Sequence, residues 1–139
     1  MIDLTLVLTA AAGRLAAAGV ADYEPDGVYP SGATGVVLKN MPTGPDRVVV
    51  LNAYQPGGTP DPNDPVETVM LQLRTRGIAY PPTDVDDLAE AAVAALSGHR
   101  AVWPGLYVSR SYRISSAQLG ADQNRRQERT DNLHLTLTR

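Results

Sequence analysis

The sequence predicts an α+β fold in which a mainly antiparallel sheet packs with two helices on one of its faces. Three observations lead to this class: two amphipathic helical patterns, short apolar runs with strand character between and after them, and a length that suits a single domain over residues 1–139. Hydrophobic residues make up 43% of the chain, which is enough apolar material for one ordinary core.

The first element is a helix predicted over residues 3–18. Its apolar stripe follows the spacing of one helical face and consists of Leu4, Leu8, Ala11, Leu15 and Ala18. Asp3 can cap its start and Gly19 can end it. The segment is not typical of a signal peptide, because Asp3 stands where a positive charge is needed and Arg14 interrupts the apolar run. It is also too short and too interrupted to span a bilayer.

Extended segments follow the first helix. Residues 27–30 and 34–40 are short strand candidates, and the continuous apolar run within 46–54 indicates a strand covered on both faces. Residues 66–77 alternate apolar with polar side chains and predict a further strand. Between them, residues 55–65 hold four prolines and two glycines, which excludes a helix or a central strand. A loop of this length in a small domain is usually functional or disordered.

A second helix is the best-marked element of the chain. It is predicted to begin at Thr83 or Asp84 and to be closed by Gly98. Its buried stripe consists of Val85, Leu88, Ala92 and Leu96. Asp84, Asp86 and Asp87 crowd the first turn, where the helix dipole favours negative charge. The alternative, a calcium-binding loop, needs alternating Asp or Asn, a central Gly and a distal Glu, and that pattern is absent.

The last third of the sequence predicts a hairpin. Residues 105–115 alternate as one strand, residues 119–126 form the turn region, and residues 127–139 form the return strand. In the return strand three leucines alternate with polar residues, so an arginine-rich turn leads directly into a strand with one apolar face.

The net charge of −3 conceals an asymmetry between two parts of the chain. Residues 1–98 carry five basic and twelve acidic side chains, whereas residues 99–139 carry seven arginines and three acidic side chains. This polarity suggests a molecule with two electrostatically different faces, and the alternative is an ordinary surface with an uneven distribution of charge.

The residues carry no signature of catalysis. Cysteine is absent, which excludes disulfides and thiolate chemistry, and only His99 and His134 are available for a zinc site. The chain contains neither a G-x-S-x-G nucleophile motif nor a glycine fingerprint for a phosphate or dinucleotide. Both histidines are interpreted as ordinary surface residues. We therefore expect no enzyme activity, no cofactor and no metal.

The arginines of the C-terminal part raise the alternative of nucleic-acid binding. Aromatic platforms for stacked bases are few beyond Tyr107 and Tyr112, and the isoelectric point near 5.2 disfavours a dedicated DNA-binding protein. Sequence-specific recognition of DNA is therefore not expected.

Two segments resemble the tail terminator and minor capsid proteins of long-tailed bacteriophages. Residues 69–77, "VMLQLRTRG", are similar to a strand of that family with a polar Gln, two alternating Arg and a closing Gly. Residues 119–135, "LGADQNRRQERTDNLHL", resemble its closing motif, in which a turn leads into Arg-x-Glu, Asn and an alternating strand. The order of elements is also similar over nearly the whole chain.

The resemblance implies a structural protein that forms a hexameric ring, which caps the tail tube, stops its polymerisation and joins the tail to the head. Its implied partners are copies of itself, the tail tube protein and a head completion or stopper protein, and genomic DNA passes through the lumen without sequence recognition. The implied location is the neck of the virion at the head–tail junction, after assembly in the host cytoplasm, with no role at a membrane.

A ring requires two different lateral faces on each subunit, which the uneven charge can supply. We expect the arginine-rich turn of one subunit to contact the acidic helix start of its neighbour. The candidate contact residues are Arg125, Arg126, Glu128, Arg129, Asp84, Asp86, Asp87 and Glu90. The proline-rich loop is expected to reach the neighbouring ring. Its candidate residues are Gln55, Gly57, Gly58, Asp61, Asn63 and Asp64.

Two alternatives remain open from the sequence. One is another head–tail connector or adaptor protein of the neck, and the other is a small soluble enzyme or binding domain. A closed ring with a hole wide enough for DNA favours the phage interpretation, whereas a stable monomer with a ligand pocket favours the second alternative.

Overall fold

The fold of the chain is described from a computed structural model, which covers residues 2–57 and 61–138. Nine elements follow one another in these described residues. They are α1 (Leu4–Ala17), β1 (Asp22–Tyr23), β2 (Thr34–Leu38), β3 (Arg47–Tyr54), β4 (Val66–Arg76), α2 (Asp84–Ala95), β5 (Gly98–Trp103), β6 (Leu106–Ala121) and β7 (Gln127–Thr138).

The strands form one seven-stranded sheet in the order β1-β2-β3-β4-β7-β6-β5. The first three pair in parallel and all other neighbours pair antiparallel. The predicted α+β class and the mainly antiparallel sheet are therefore confirmed, and the parallel β1–β2–β3 part makes the sheet mixed. The central strand, β4, contains the first of the two motifs that resemble the phage proteins. Its neighbour β7 contains the end of the second motif.

Helix α1 forms close to the predicted position. Asp3 caps it by accepting a hydrogen bond from the Leu6 backbone N–H at 3.2 Å, and Gly19, at φ +74, follows its C-terminal end. At Gly13 the helix approaches the β5–β6 turn so closely that a Cβ atom would lie 2.9 Å from Pro104 Cγ. The small-residue flank of the helix thus permits a close contact with the sheet.

Helix α2 begins at Asp84, but the predicted cap differs from the observed one. Thr83 holds the N-cap position without a side-chain hydrogen bond to the helix. The Asp84 carboxylate instead accepts hydrogen bonds from Arg47 Nε at 2.9 Å and from the Ile78 backbone N–H at 3.0 Å. These hydrogen bonds connect the start of the helix to β3 and to the segment that follows β4.

Both helices bury their apolar residues in one hydrophobic cluster with alternate residues of the strands. The fully buried members contributed by the sheet include Val36, Val49, Leu51, Val69, Leu71, Leu73, Leu133 and Leu135. Helix α1 contacts β1, β2, β3, β5 and β6, whereas α2 contacts β3, β4 and β7. The two helices therefore cover different parts of a curled sheet, which is less regular than the predicted layer of two helices on one face.

Four parts of the chain differ from the strand prediction. Residues 27–30 are not a strand, and Gly27 adopts the left-handed φ of +74. The Tyr29 hydroxyl instead donates a hydrogen bond of 2.6 Å to the carbonyl of Val36 in β2. The edge strands β1 and β5 were not predicted, and β6 continues six residues beyond the predicted end at 115. Short edge strands lack a strong apolar alternation, which explains why the pattern missed them.

Candidate assembly surface

Arg129, the third of the clustered arginines of the C-terminal hairpin, lies near the start of β7, and this strand packs directly against helix α2. Arg129 donates from Nε and Nη2 to the two carboxylate oxygens of Asp131, each at 3.0 Å. It also donates to Asp86 at 3.0 Å and to Glu90 at 2.5 Å. Arg113 of β6 adds contacts to Glu90 at 2.8 Å and to Asp131 at 3.3 Å. These five side chains form the α2–β7 cluster.

The geometry of the α2–β7 cluster follows from the local structure. Asp86 and Glu90 are four residues apart and therefore lie on the same face of α2, and that face packs against β7. Arg129 and Asp131 are two residues apart and share one face of β7. Asp131 is fully buried and Arg129 is only 5% exposed, so each needs a partner of opposite charge.

The electrostatics of the cluster agree with this packing. A hydrogen bond from Gln118, followed by one from Arg129, holds the pKa of Asp86 below its ordinary value. Hydrogen bonds from Arg129 and Arg113 lower the pKa of Glu90. The bidentate contact with Asp131 raises the pKa of Arg129, despite the opposing effect of its burial. All three groups are therefore charged at neutral pH.

A second arginine ties the hairpin turn to the loop before β3. Arg126 donates to the Asp122 carboxylate at 2.8 Å, to Asp46 at 2.9 Å and to the Thr43 carbonyl at 2.8 Å. Asp122 also accepts from the backbone N–H groups of Asn124 and Arg126 at 2.9 Å, which organises the turn. Burial raises the pKa of Asp122, but these donors outweigh that effect and the pKa is lowered.

A third arginine, Arg76, holds the same loop from the end of β4. Its guanidinium is 2% exposed and donates to three backbone carbonyls, those of Pro42, Pro45 and Asp46, at 2.6–2.9 Å. Burial, together with the nearby charge of Arg126, lowers the pKa of Arg76. The two alternating arginines of the β4 motif therefore differ, because Arg74 is on the surface and pairs with Glu128 at 2.6 Å.

The sheet also carries ordered rows of side chains across four strands. The register places Asn52, Gln72, Asn132 and Ser115 side by side, and Asn132 donates to the Ser115 hydroxyl at 3.0 Å. The neighbouring row contains Tyr54, Met70, His134 and Tyr112. In that row the Tyr112 and His134 rings stack with centroids 5.2 Å apart, and Arg110 lies 4.4 Å above the Tyr112 ring.

Most residues predicted to contact a neighbouring subunit make contacts within their own chain. Arg129 binds Asp86 and Glu90, Arg126 binds Asp46 and Asp122, and Asp84 binds Arg47. The sequence prediction placed the arginines and the acidic helix start on different subunits. In the structure Arg129 binds Asp86 and Glu90 of its own chain, because α2 packs directly against β7. Contact of the predicted residues with a neighbouring subunit stays a prediction.

Three of the predicted contact residues, Asp87, Glu90 and Arg125, are exposed, and Glu90 is already bound to Arg113 and Arg129. Arg125 is exposed in the hairpin turn, at φ +62, and Asp87 is exposed on α2. Within the part of the chain that the structure describes, neither side chain takes part in an ion pair. Contact of these residues with another subunit remains a prediction.

The predicted ring-to-ring loop, residues 55–65, is exposed at its described positions 55–57 and 61–65. Gln55 and Gly57 are exposed, as are Asp61, Asn63 and Asp64. The Asp61 carboxylate accepts from the Asn63 backbone N–H at 2.9 Å, and Asp64 accepts from that of Val66 at 2.9 Å. The remaining predicted residue, Gly58, lies outside the described residues.

The sequence prediction missed two groups of exposed basic and acidic side chains at the two edges of the sheet. His99, Arg100 and Arg110 are exposed at the β5–β6 edge, and Asp22, Glu24 and Asp26 are exposed at and beside β1. Their residue types were visible in the sequence, but only the strand order shows that the two groups lie at opposite ends of one sheet.

Metal binding and membrane insertion have no structural signal among the described residues. Residues 2–57 and 61–138 contain no cluster of three or more His, Asp or Glu side chains that could hold a metal ion. No helix among them is both long and apolar enough to cross a membrane.

The fold and the buried ion network define a small α+β protein whose charged residues mainly serve as structural contacts. The chain matches the family model described as bacteriophage tail terminator protein over residues 14–139. It belongs to that family and is a structural component of the phage tail. A search of the curated proteins found no match. The resemblance noted in the sequence is thereby confirmed at the level of the family.

Proposed function

We propose that the protein is the terminator ring of the tail, in which several copies, most simply six, close around the end of the tail tube. The ring caps the tube, stops its polymerisation and presents a surface to which the head docks. The observation that carries this proposal is membership in the tail terminator family over residues 14–139. A component of this kind acts at the head–tail junction of the virion and assembles in the host cytoplasm.

The arrangement of the chain supports a role as a rigid ring subunit. The α2–β7 cluster and the contacts of Arg76 and Arg126 fix the β6–β7 hairpin against α2 and the loop before β3. A subunit that keeps its shape loses little conformational entropy when it binds a neighbour. Its partners in this proposal are further copies of the chain, the tail tube protein and a head completion protein, and DNA passes through the ring without sequence recognition.

The proposal is tested with the purified protein and purified tail tubes. Electron microscopy is expected to show a ring bound at one tube end, and added protein is expected to stop further growth of tubes from tube protein. Binding to isolated heads without binding to tubes would favour the alternative of a connector or adaptor protein. A monomer that binds neither tubes nor heads would overturn the proposal.

The accessible residues predicted as subunit contacts form a more detailed part of the proposal. Arg125 is placed at a lateral contact because it is exposed on a turn that Asp122 and Arg126 hold in a fixed conformation. Arg125→Glu is expected to weaken ring formation while leaving the monomer as stable as before. If the variant forms rings at the same protein concentration as the unchanged protein at low salt, Arg125 has no role in the contact between subunits.

The proline-rich loop is proposed to contact the adjoining ring. Its described residues on either side of 58–60 are exposed and polar or small, so they contribute little to the core. Deletion of residues 58–63 is expected to preserve the unfolding midpoint and to impair joining of tail and head. Loss of folding in this variant would instead identify the loop as a structural element.

A further inference from the structure

The two edges of the sheet differ in charge. One edge is β1, and the other consists of β5 together with the part of β6 that extends beyond it. Pairing between β5 and β6 ends at Ser111, so among the described residues the stretch 112–121 of β6 pairs with β7 alone, although Arg113 and Gln118 also bind side chains of α2. An open edge presents unpaired backbone donors and acceptors to another chain.

The β5–β6 edge is basic. His99, Arg100 and Arg110 are exposed there, and no carboxylate of the described residues forms an ion pair with any of them. The Arg110 guanidinium is held 4.4 Å above the Tyr112 ring, which places its charge in a defined position. We call these three residues the basic edge.

The β1 edge is acidic. Asp22, Glu24 and Asp26 are exposed, and their carboxylates form no ion pair within residues 2–57 and 61–138. The segment is ordered by Tyr29, whose hydroxyl accepts from the Glu24 backbone N–H at 2.8 Å and donates to the Val36 carbonyl. We call these three residues the acidic edge.

The charges between the two edges are largely compensated within the chain. Arg47, Arg74, Arg113, Arg126 and Arg129 all pair with carboxylates of the same subunit, and Arg76 is held by carbonyls. Other exposed charges without an ion pair among the described residues include those of Lys39, Asp61, Asp64, Asp87 and Arg125, and none of these belongs to either edge. The two ends of the strand order therefore carry exposed groups of opposite sign. Such ends attract each other when they belong to different molecules.

We propose that the acidic edge of one copy of this chain binds the basic edge of the next copy. Because the two edges are different, each contact leaves one acidic and one basic edge free, and the contact repeats until the chain of subunits closes. This inference rests on the proposed ring. It adds the surfaces by which neighbouring subunits bind, which are distinct from the buried α2–β7 cluster.

The test uses two double variants, and in each of them both edges carry charge of the same sign. Arg100→Glu with Arg110→Glu makes both edges acidic, and Glu24→Arg with Asp26→Arg makes both edges basic. Each variant alone is expected to need about tenfold or more protein to form rings at tube ends, because like charges then face each other. An equimolar mixture is expected to recover assembly, since the two variants can alternate around a ring.

The control is Lys39→Glu, which reverses a single exposed charge after β2 that belongs to neither edge. It is expected to assemble like the unchanged protein, and circular dichroism and urea unfolding check that every variant is folded. If the unchanged protein forms rings and both edge variants do so equally well at low salt, the edge contact is wrong and the proposed function stands. If the unchanged protein forms no ring alone, on tubes or on heads, the proposed function itself fails.

Discussion

The α2–β7 cluster and the basic edge use the same residue type in opposite ways. Arg129 is 5% exposed, and its donors bind Asp131, Asp86 and Glu90 of the same chain. Arg100 and Arg110 are exposed and form no ion pair within the described part of the chain. The comparison indicates that burial, not the number of arginines in a motif, decides which of them stabilise the fold and which remain available to a partner.

The physical reason is the cost of removing a charge from water. A buried guanidinium that loses its carboxylates remains desolvated without compensation, whereas an exposed one is solvated whether or not it has a partner. Changes in the cluster should therefore alter the free energy of unfolding. Changes at the edge should alter association and leave unfolding almost unchanged.

The largest expected effect is that of Arg129→Ala. This change leaves Asp131, which is fully buried, with only the 3.3 Å contact from Arg113. We expect the free energy of unfolding to fall by about 3–5 kcal/mol, as for other broken buried ion pairs. Urea unfolding followed by circular dichroism measures it. Arg125→Ala is the matched control, and an equal loss in both variants would remove the distinction between buried and exposed arginines.

The second prediction concerns Arg76→Lys, which keeps the charge. One ammonium group cannot reproduce the planar set of donors that reaches the carbonyls of Pro42, Pro45 and Asp46. We expect a loss of about 1–3 kcal/mol, the cost of leaving a buried polar group unsatisfied. The same urea experiment measures this loss. A stability equal to that of the unchanged protein would show that the loop does not depend on the shape of the guanidinium.

The sequence predicted the strongly patterned parts of this molecule. Both helices, β3, β4 and the β6–β7 hairpin were predicted because each carries a clear apolar period or a marked cap. The edge strands β1 and β5 were missed because a strand of two residues, or a run such as Gly98–Trp103, has no period that sets it apart from a loop. Pairing between strands distant in sequence is set by tertiary packing, which a local pattern does not encode.

The candidate site shows the same limit. Of the predicted arginines only Arg129 binds the acidic helix start in the structure, and the sequence could not tell whether such groups meet within one chain or between two. That distinction depends on α2 lying against β7, which brings Asp86 to 3.0 Å from Arg129. The free charges of the edges required the strand order, since Glu24 and Arg110 are far apart in sequence and at opposite ends of the sheet.

A third prediction uses the pH dependence of stability. The folded-state pKa values of Asp86 and Glu90 lie below their ordinary values of 3.8 and 4.5. Groups with a lowered pKa contribute stability that is present above the unfolded value and is lost as pH falls through the folded one. Unfolding midpoints measured at decreasing pH should therefore decline below about pH 4.5.

The matched variant for this experiment is Glu90→Gln, which retains a hydrogen-bonding side chain without the titrating charge. We expect a smaller decline with acid than in the unchanged protein, and a loss of stability at neutral pH that is modest because Glu90 is about half exposed (53%). A decline identical in both proteins would assign the acid sensitivity to other carboxylates, of which Asp122, with its lowered pKa, is the next to test.

The smallest expected effect is that of Arg110→Ser at the basic edge. The change removes a guanidinium that lies over an exposed Tyr112 ring, a contact worth about 0.5–1 kcal/mol at such sites. A double-mutant cycle with Tyr112→Leu isolates this contact from the stacking of Tyr112 on His134, which lies on the neighbouring strand. We expect a coupling near the lower end of that range, because the ring is exposed and the charge stays solvated. A coupling as large as the loss in Arg129→Ala would mean that Arg110 is held by the fold as firmly as the buried arginines, and the basic edge would then have no free charge to offer a neighbouring subunit.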